Sequence, residues 1–226
     1  MCLDERTSWI TLITGTVVNM AILTYFIKQL KKDPNAIIPL ISLLTWQYAL
    51  LMQFPDALAW RSLKKGIKPD IGIGMTAAFL NFTQPIIVLI GVFLIIHILK
   101  KPVKALYPGM VACLVYAIIV VTIYISSKIN FDVDPGTKCL SLDYAWWHNT
   151  GYLNLLYIIV IILCILAIPN GPLWRIVMII IFLGSLFSML AINYKKGYGC
   201  NISSLWCWSI ASAGLILFLV YYLYQK

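Results

Sequence analysis

The chain has 226 residues, of which 62% are hydrophobic and only 11% charged, with a formal net charge of +9. This balance lies far from that of soluble globular domains and excludes both an ordinary water-soluble enzyme and a disordered chain. The apolar residues come in runs of roughly 20 without the alternation of barrel strands, so the expected fold is all-α, a polytopic membrane protein built as a seven-transmembrane-helix bundle.

The predicted spans are 8–30, 37–60, 71–99, 105–125, 150–168, 173–191 and 202–222, in a single transmembrane domain covering 1–226. The start, Met1-Cys2-Leu3-Asp4-Glu5-Arg6, is acidic where a signal peptide is basic, so the first span is expected to stay as an anchor. In the second span Ala49, Gln53, Asp56 and Trp60 fall on one helical stripe, and Pro55 should bend the helix or loosen its hydrogen bonds beside the acid. An acid facing hydrocarbon costs several kcal/mol, about 3 on insertion scales, so that stripe must face protein or water. In the third span Asn81, Thr83 and Gln84 precede Pro85, which removes a helical N–H and should kink the chain. Gln53, Asp56, Trp60, Asn81 and Gln84 are therefore the candidate lining of a ligand or ion cavity, with helix packing as the competing role for the amides.

Gly109 and Cys113 in the fourth span, and Gly184 and Ser188 in the sixth, are small-residue pairs expected to mark helix contacts. The long connection 126–149 contains Asp132-Val133-Asp134-Pro135-Gly136, which reads as a turn because the later acidic ligands of a calcium loop are missing. Its end, Tyr144-Ala145-Trp146-Trp147-His148, is aromatic and is expected to lie at the membrane interface before the fifth span begins.

The 17 Lys and Arg residues divide almost evenly between the two loop sets, so basic residues do not orient the chain. They read as headgroup-level charge, with the lipid bilayer as partner and no nucleic acid. Seven of the eight acids fall on the N-terminal side, and Cys139 and Cys200 occupy loops there, a disulfide pair if that face is oxidising. The expected orientation has the N-terminus outside.

Residues 51–60, Leu-Met-Gln-Phe-Pro-Asp-Ala-Leu-Ala-Trp, resemble the Gln-x-x-Glu-Gly-x-x-Trp segment of an uncharacterised seven-span family, found in bacterial proteins beginning Met-Cys-Phe-Ser and a related group in giant DNA viruses. Met1-Cys2, Asn81-Phe82-Thr83-Gln84-Pro85 and Ser204-Leu205-Trp206-Cys207-Trp208 are similar to further segments of that family, and Cys139 followed by Trp147, His148 and Gly151 is a weaker match. Asp56 stands where the family has Glu, Ala57 where it has Gly, and Leu3-Asp4-Glu5 departs from its start. The resemblance implies architecture and candidate positions, not a reaction. Placed by topology, Cys2, His148 and Cys207 share the N-terminal face with Asp56, a donor set suited to a transition metal, although no local metal spacing accompanies it.

Other seven-helix classes fail on missing residues. The last span has no lysine for a retinal Schiff base, and His97 and His148 are too few for a three-histidine zinc hydrolase. Neither the acidic-Arg-aromatic nor the Asn-Pro-x-x-Tyr signature of a G-protein-coupled receptor is present. Three readings remain: small-solute or ion transport or sensing around Asp56, a non-transporting structural or scaffold protein of a viral or host membrane, and, behind both, an intramembrane metal-dependent enzyme. No cofactor is singled out.

Overall fold

The computed structural model describes residues 4–126, 130–135, 142–146, 151–170, 172–196 and 203–225, and the side chains of 143, 151, 152, 185–196 and 203–211 lie outside that description. The described chain is almost entirely helical: α1 Glu5–Gln29, α2 Ile37–Leu50, α3 Gln53–Lys64, α4 Ile71–Ile98, α5 Tyr107–Ile125, α6 Gly151–Leu166, α7 Pro172–Lys196 and α8 Ser203–Tyr224. Between α5 and α6 a short hairpin pairs β1 Val133–Pro135 antiparallel with β2 Leu142–Tyr144. The helices overlap the apolar runs read from the sequence, with the run 37–60 divided into α2 and α3.

Four helical stretches are long and apolar enough to cross a membrane: Glu5–Gln29, Pro34–Lys64, Ile71–Ile98 and Val103–Ile125. Their environments differ sharply. The most apolar window of Pro34–Lys64 is 67% buried, against 22% for α1 and 17% for Val103–Ile125. The second span is therefore the centre of the bundle and the first and fourth are its periphery, with exposed apolar side chains such as Val17, Ile27, Val111, Leu114 and Ile118. α2 packs against α1, α4 and α8, while α4 also meets α3, α5 and α6.

The boundaries follow from local chemistry. Asp4 caps α1 by accepting the Thr7 N–H at 2.6 Å, and Asp70 caps α4 by accepting the Gly72 N–H at 2.7 Å. At the far end of α3, Gly66 adopts φ +71° and the Ile67 N–H reaches back to the Ser62 carbonyl at 3.0 Å, a left-handed helix stop. Pro55 has no N–H for the Leu51 carbonyl, which instead accepts from Phe54 at 3.0 Å. Leu51 and Met52 likewise bond three residues back, to Tyr48 at 3.1 Å and Ala49 at 3.2 Å, so the expected loosening is a turn of tighter pitch separating α2 from α3. Pro85, by contrast, sits inside a continuous α4.

Gly109 meets its expected neighbour: a Cβ there would come within 3.1 Å of Cys164 Sγ, which explains the close approach of α5 to α6. Around Gly184 a Cβ would meet nothing within 4 Å among the described residues, and Ser188 lies outside the described side chains. A tighter approach joins α8 to α1 and α2, where Gly214 lies against Asn19 Oδ1 and Leu43. Asn19 is held there by donating to Gln47 Oε1 at 2.8 Å, and Gln47 donates in turn to Thr16 Oγ1 at 2.9 Å. The opposite end of α8 is tied by Asp33, which accepts from the Tyr221 hydroxyl at 3.1 Å and Gln225 Nε2 at 2.8 Å.

Candidate functional site

Asp56 occupies the first turn of α3 and is fully buried, as is Gln53 one turn before it. A carboxylate withdrawn from water needs charge-assisted hydrogen bonds, and the structure supplies one from an unexpected source. The Tyr144 hydroxyl, at the end of β2, donates to Asp56 Oδ1 at 2.8 Å across a separation of 88 residues. The interfacial placement expected for this stretch is corrected for its described part, since Tyr144 and Trp146 are buried at 1% and 0% exposure, while Trp147 and His148 lie outside the described residues. Hairpin pairing turns Tyr144 inward, and Trp146 packs edge-on against Phe82 of α4 with ring centroids 5.2 Å apart. The Tyr144 hydroxyl, the polar atom that would favour an interface, is satisfied inside by Asp56.

The hairpin is fastened from outside as well. Lys68, in the α3–α4 loop, pairs with Asp132 at 2.9 Å, and the Asp132 N–H donates to Asn130 Oδ1 at 2.9 Å. The Asp132 carboxylate that headed the turn cluster is committed to Lys68. The Lys68 hydrogen bond holds the Asp132 carboxyl below its ordinary range, and the same bond raises Lys68 above its own. At the start of α1, the Thr7 N–H lowers Asp4 in the same manner. Gly74 lets the Phe131 backbone lie directly on the first turns of α4.

Trp60, half-buried one turn beyond Asp56, lines an open vestibule of about 840 Å³ together with Asp4, Arg6, Trp9, Lys64 and Pro135. Trp9 of α1 is fixed edge-on against Phe54, with centroids 5.9 Å apart. A second, interior cavity of about 30 Å³ is bordered by Trp46 and Ala49 of α2, Gln84 of α4, Tyr157 of α6, and Met178 and Phe182 of α7. The Tyr157 hydroxyl donates to Gln84 Oε1 across this space. The predicted stripe therefore runs from Ala49 at the interior cavity to Trp60 at the vestibule, and the fully buried Gln53 and Asp56 occupy the interval.

Asn81 is also buried on α4, but neither it, Gln53 nor Asp56 borders the cavity that Gln84 lines. The five cavity candidates are thus distributed: Trp60 on the vestibule, Gln84 on the interior cavity, and Gln53, Asp56 and Asn81 enclosed by protein. Cys2, Cys139, His148 and Cys200 lie outside the described residues, and Cys207 lies on α8 with its side chain outside the description. Among the described residues no group of three or more His, Cys, Asp and Glu side chains gathers as a metal site. Sequence reading missed Tyr144, Tyr157 and Trp46 as site residues. The signal for Tyr157 was present, since a tyrosine amid Ile, Val and Leu needs a partner for its hydroxyl.

Comparison with protein-family models, with curated proteins and with solved structures returns no match. The class defined by the fold is an all-helical bundle with membrane-length helices and an enclosed acid capped by a hairpin.

Proposed function

We propose that this chain is a seven-span integral membrane protein, N-terminus outside, that binds and passes or senses a small solute or ion through the polar stripe around Asp56. The single observation that carries the reading is the position of Asp56, fully buried yet one helical turn below the vestibule residue Trp60 and held by Tyr144. The interruption at Leu51–Met52 supports it, because broken helices beside a polar interior are how membrane bundles present binding groups. The apolar side chains exposed on α1 and α5 suit contact with lipid, and three shorter apolar stretches, Leu153–Leu166, Pro172–Gly184 and Ser212–Tyr224, would bring the four membrane-length helices to seven. The likeness to the uncharacterised bacterial and viral seven-span family adds the same stripe and nothing about cargo.

In this reading Tyr144 closes the path between the vestibule and Asp56, and protonation or solute binding at the carboxylate competes with that hydrogen bond. The direct test is flux into proteoliposomes across a panel of monovalent ions, protons and small neutral solutes. Asp56→Asn should abolish the active component, and unchanged flux in that variant removes the proposal. Membrane-impermeant maleimide on intact cells checks the orientation: Cys139 and Cys200 should label from outside only after reduction.

A second reading, a non-transporting scaffold of a viral or host membrane, is favoured by the Asn19–Gln47–Thr16 chain, whose amides tie α1 to α2 as packing groups do. It predicts that no solute in the panel moves while Asp56→Asn still changes stability.

A further inference from the structure

The interior cavity has a feature that helix packing leaves unaccounted for. Trp46 is only 8% exposed, and its indole N–H is shielded from solvent without meeting any acceptor among the described residues. A buried N–H in that state costs about 1–3 kcal/mol, so native proteins seldom leave one unmatched. The ring borders the cavity of about 30 Å³, whereas a water needs only about 10–15 Å³ of such space. The wall supplies the other partners a water requires. Gln84 accepts from Tyr157 through Oε1, which leaves its amide nitrogen to donate. Thr45 Oγ1 donates to the Ser42 carbonyl at 2.7 Å, which leaves its lone pairs to accept.

We infer that this cavity is a water site, in which an ordered water accepts from the Trp46 indole N–H and the Gln84 amide and donates to Thr45, joining α2 to α4 beside α6. A neighbouring cavity of about 10 Å³ shares Thr45, Val88, Ile165 and Met178 but is otherwise walled by aliphatic groups and Ser42, whose side chain adds no orphan donor. It stays dry, since an apolar void offers a water too few partners. At this size the site has room for water. Asp56 does not border it, so the inference stands apart from the transport reading.

The test is NMR of the full chain in nanodiscs with 15N-labelled indoles, the Trp46 resonance being assigned as the one lost in Trp46→Phe. A magnetisation-transfer peak from bound water to the Trp46 indole proton is expected. Ala49→Val or, from the opposite wall, Val88→Ile should fill the space, abolish that peak and shift the indole proton upfield. Absence of the peak in the wild-type protein, or its persistence in both filled variants, overturns the inference. So does a Trp46 shift that titrates with chloride at constant ionic strength, which would assign the site to an anion.

Discussion

Tyr144→Phe removes one oxygen and keeps the ring that packs beside Trp146, so it isolates the bond to Asp56 from the hydrophobic seat of the hairpin. Hydrogen bonds to charged groups contribute about 1.5–3 kcal/mol, while polar pairs between membrane helices average nearer about 0.6 kcal/mol. The bond is 2.8 Å long and the acid fully buried, which places this pair at the upper end of the membrane range, about 1.5 kcal/mol or roughly tenfold in the folding equilibrium. Both side chains make further interactions, so a double-mutant cycle with Asp56→Ala, which removes the acceptor that Asn would retain, is required to extract the pair. Equilibrium unfolding in micelles or by steric trapping supplies the four free energies. A coupling of about 1 kcal/mol or more is expected, and one below about 0.3 kcal/mol would refute the claim that this bond holds the hairpin over the acid.

Gly214→Ala should be destabilising, because the added methyl would overlap Asn19 Oδ1 and come within 2.8 Å of Leu43 Cδ1; a loss of about 2–3 kcal/mol is expected by thermal melt. Gly66→Ala meets no neighbour within 4 Å, so its cost is that of a non-glycine residue at φ +71°, about 1 kcal/mol; a neutral result would show that the turn relaxes. The Lys68–Asp132 pair makes hairpin docking dependent on pH at both extremes. Asp132 is lowered by Lys68, so its contribution is present above its ordinary 3.8 and fades as pH falls through the depressed native value. Lys68 is raised by Asp132, so its contribution is present below its ordinary 10.5 and fades as pH rises through the elevated native value. Amide exchange protection at Ala145, whose N–H donates to the Asp132 carbonyl at 3.0 Å, should fall at both ends, and Lys68→Ala should flatten the profile.

Hydrophobic run length made the helices legible, since each span needs enough apolar residues and the caps Asp4 and Asp70 stand where the runs begin. The Pro55 break was legible because the missing N–H is a local fact. The sequence could not place Tyr144, because that depends on a hairpin register pairing Val133 with Tyr144 and on the approach of α3 from 88 residues away. Aromatic residues near a span end carry the same composition whether they float at an interface or plug a bundle. Asp56, Asn81 and Gln84 stand out in the sequence as polar groups within apolar runs, and all three are buried, but which neighbours surround each is a property of three-dimensional packing.

The tight turn at Leu51–Met52 also has a mechanical consequence. α2 is largely buried among α1, α4 and α8, while α3, 12 residues long, extends from the turn toward the vestibule. At about 1.5 Å per residue α3 is a rod of about 18 Å, so a swing of about 10° at its base would carry Lys64 through about 3 Å while α2 stays still. The acid, close to the pivot, would barely move, and the indole of Trp60 would sweep the wall above it. Because Ala57 and Ala59 of α3 are fully buried and the helix packs along α1, anything wedged into the vestibule beside Trp60 would load that α1–α3 seam first.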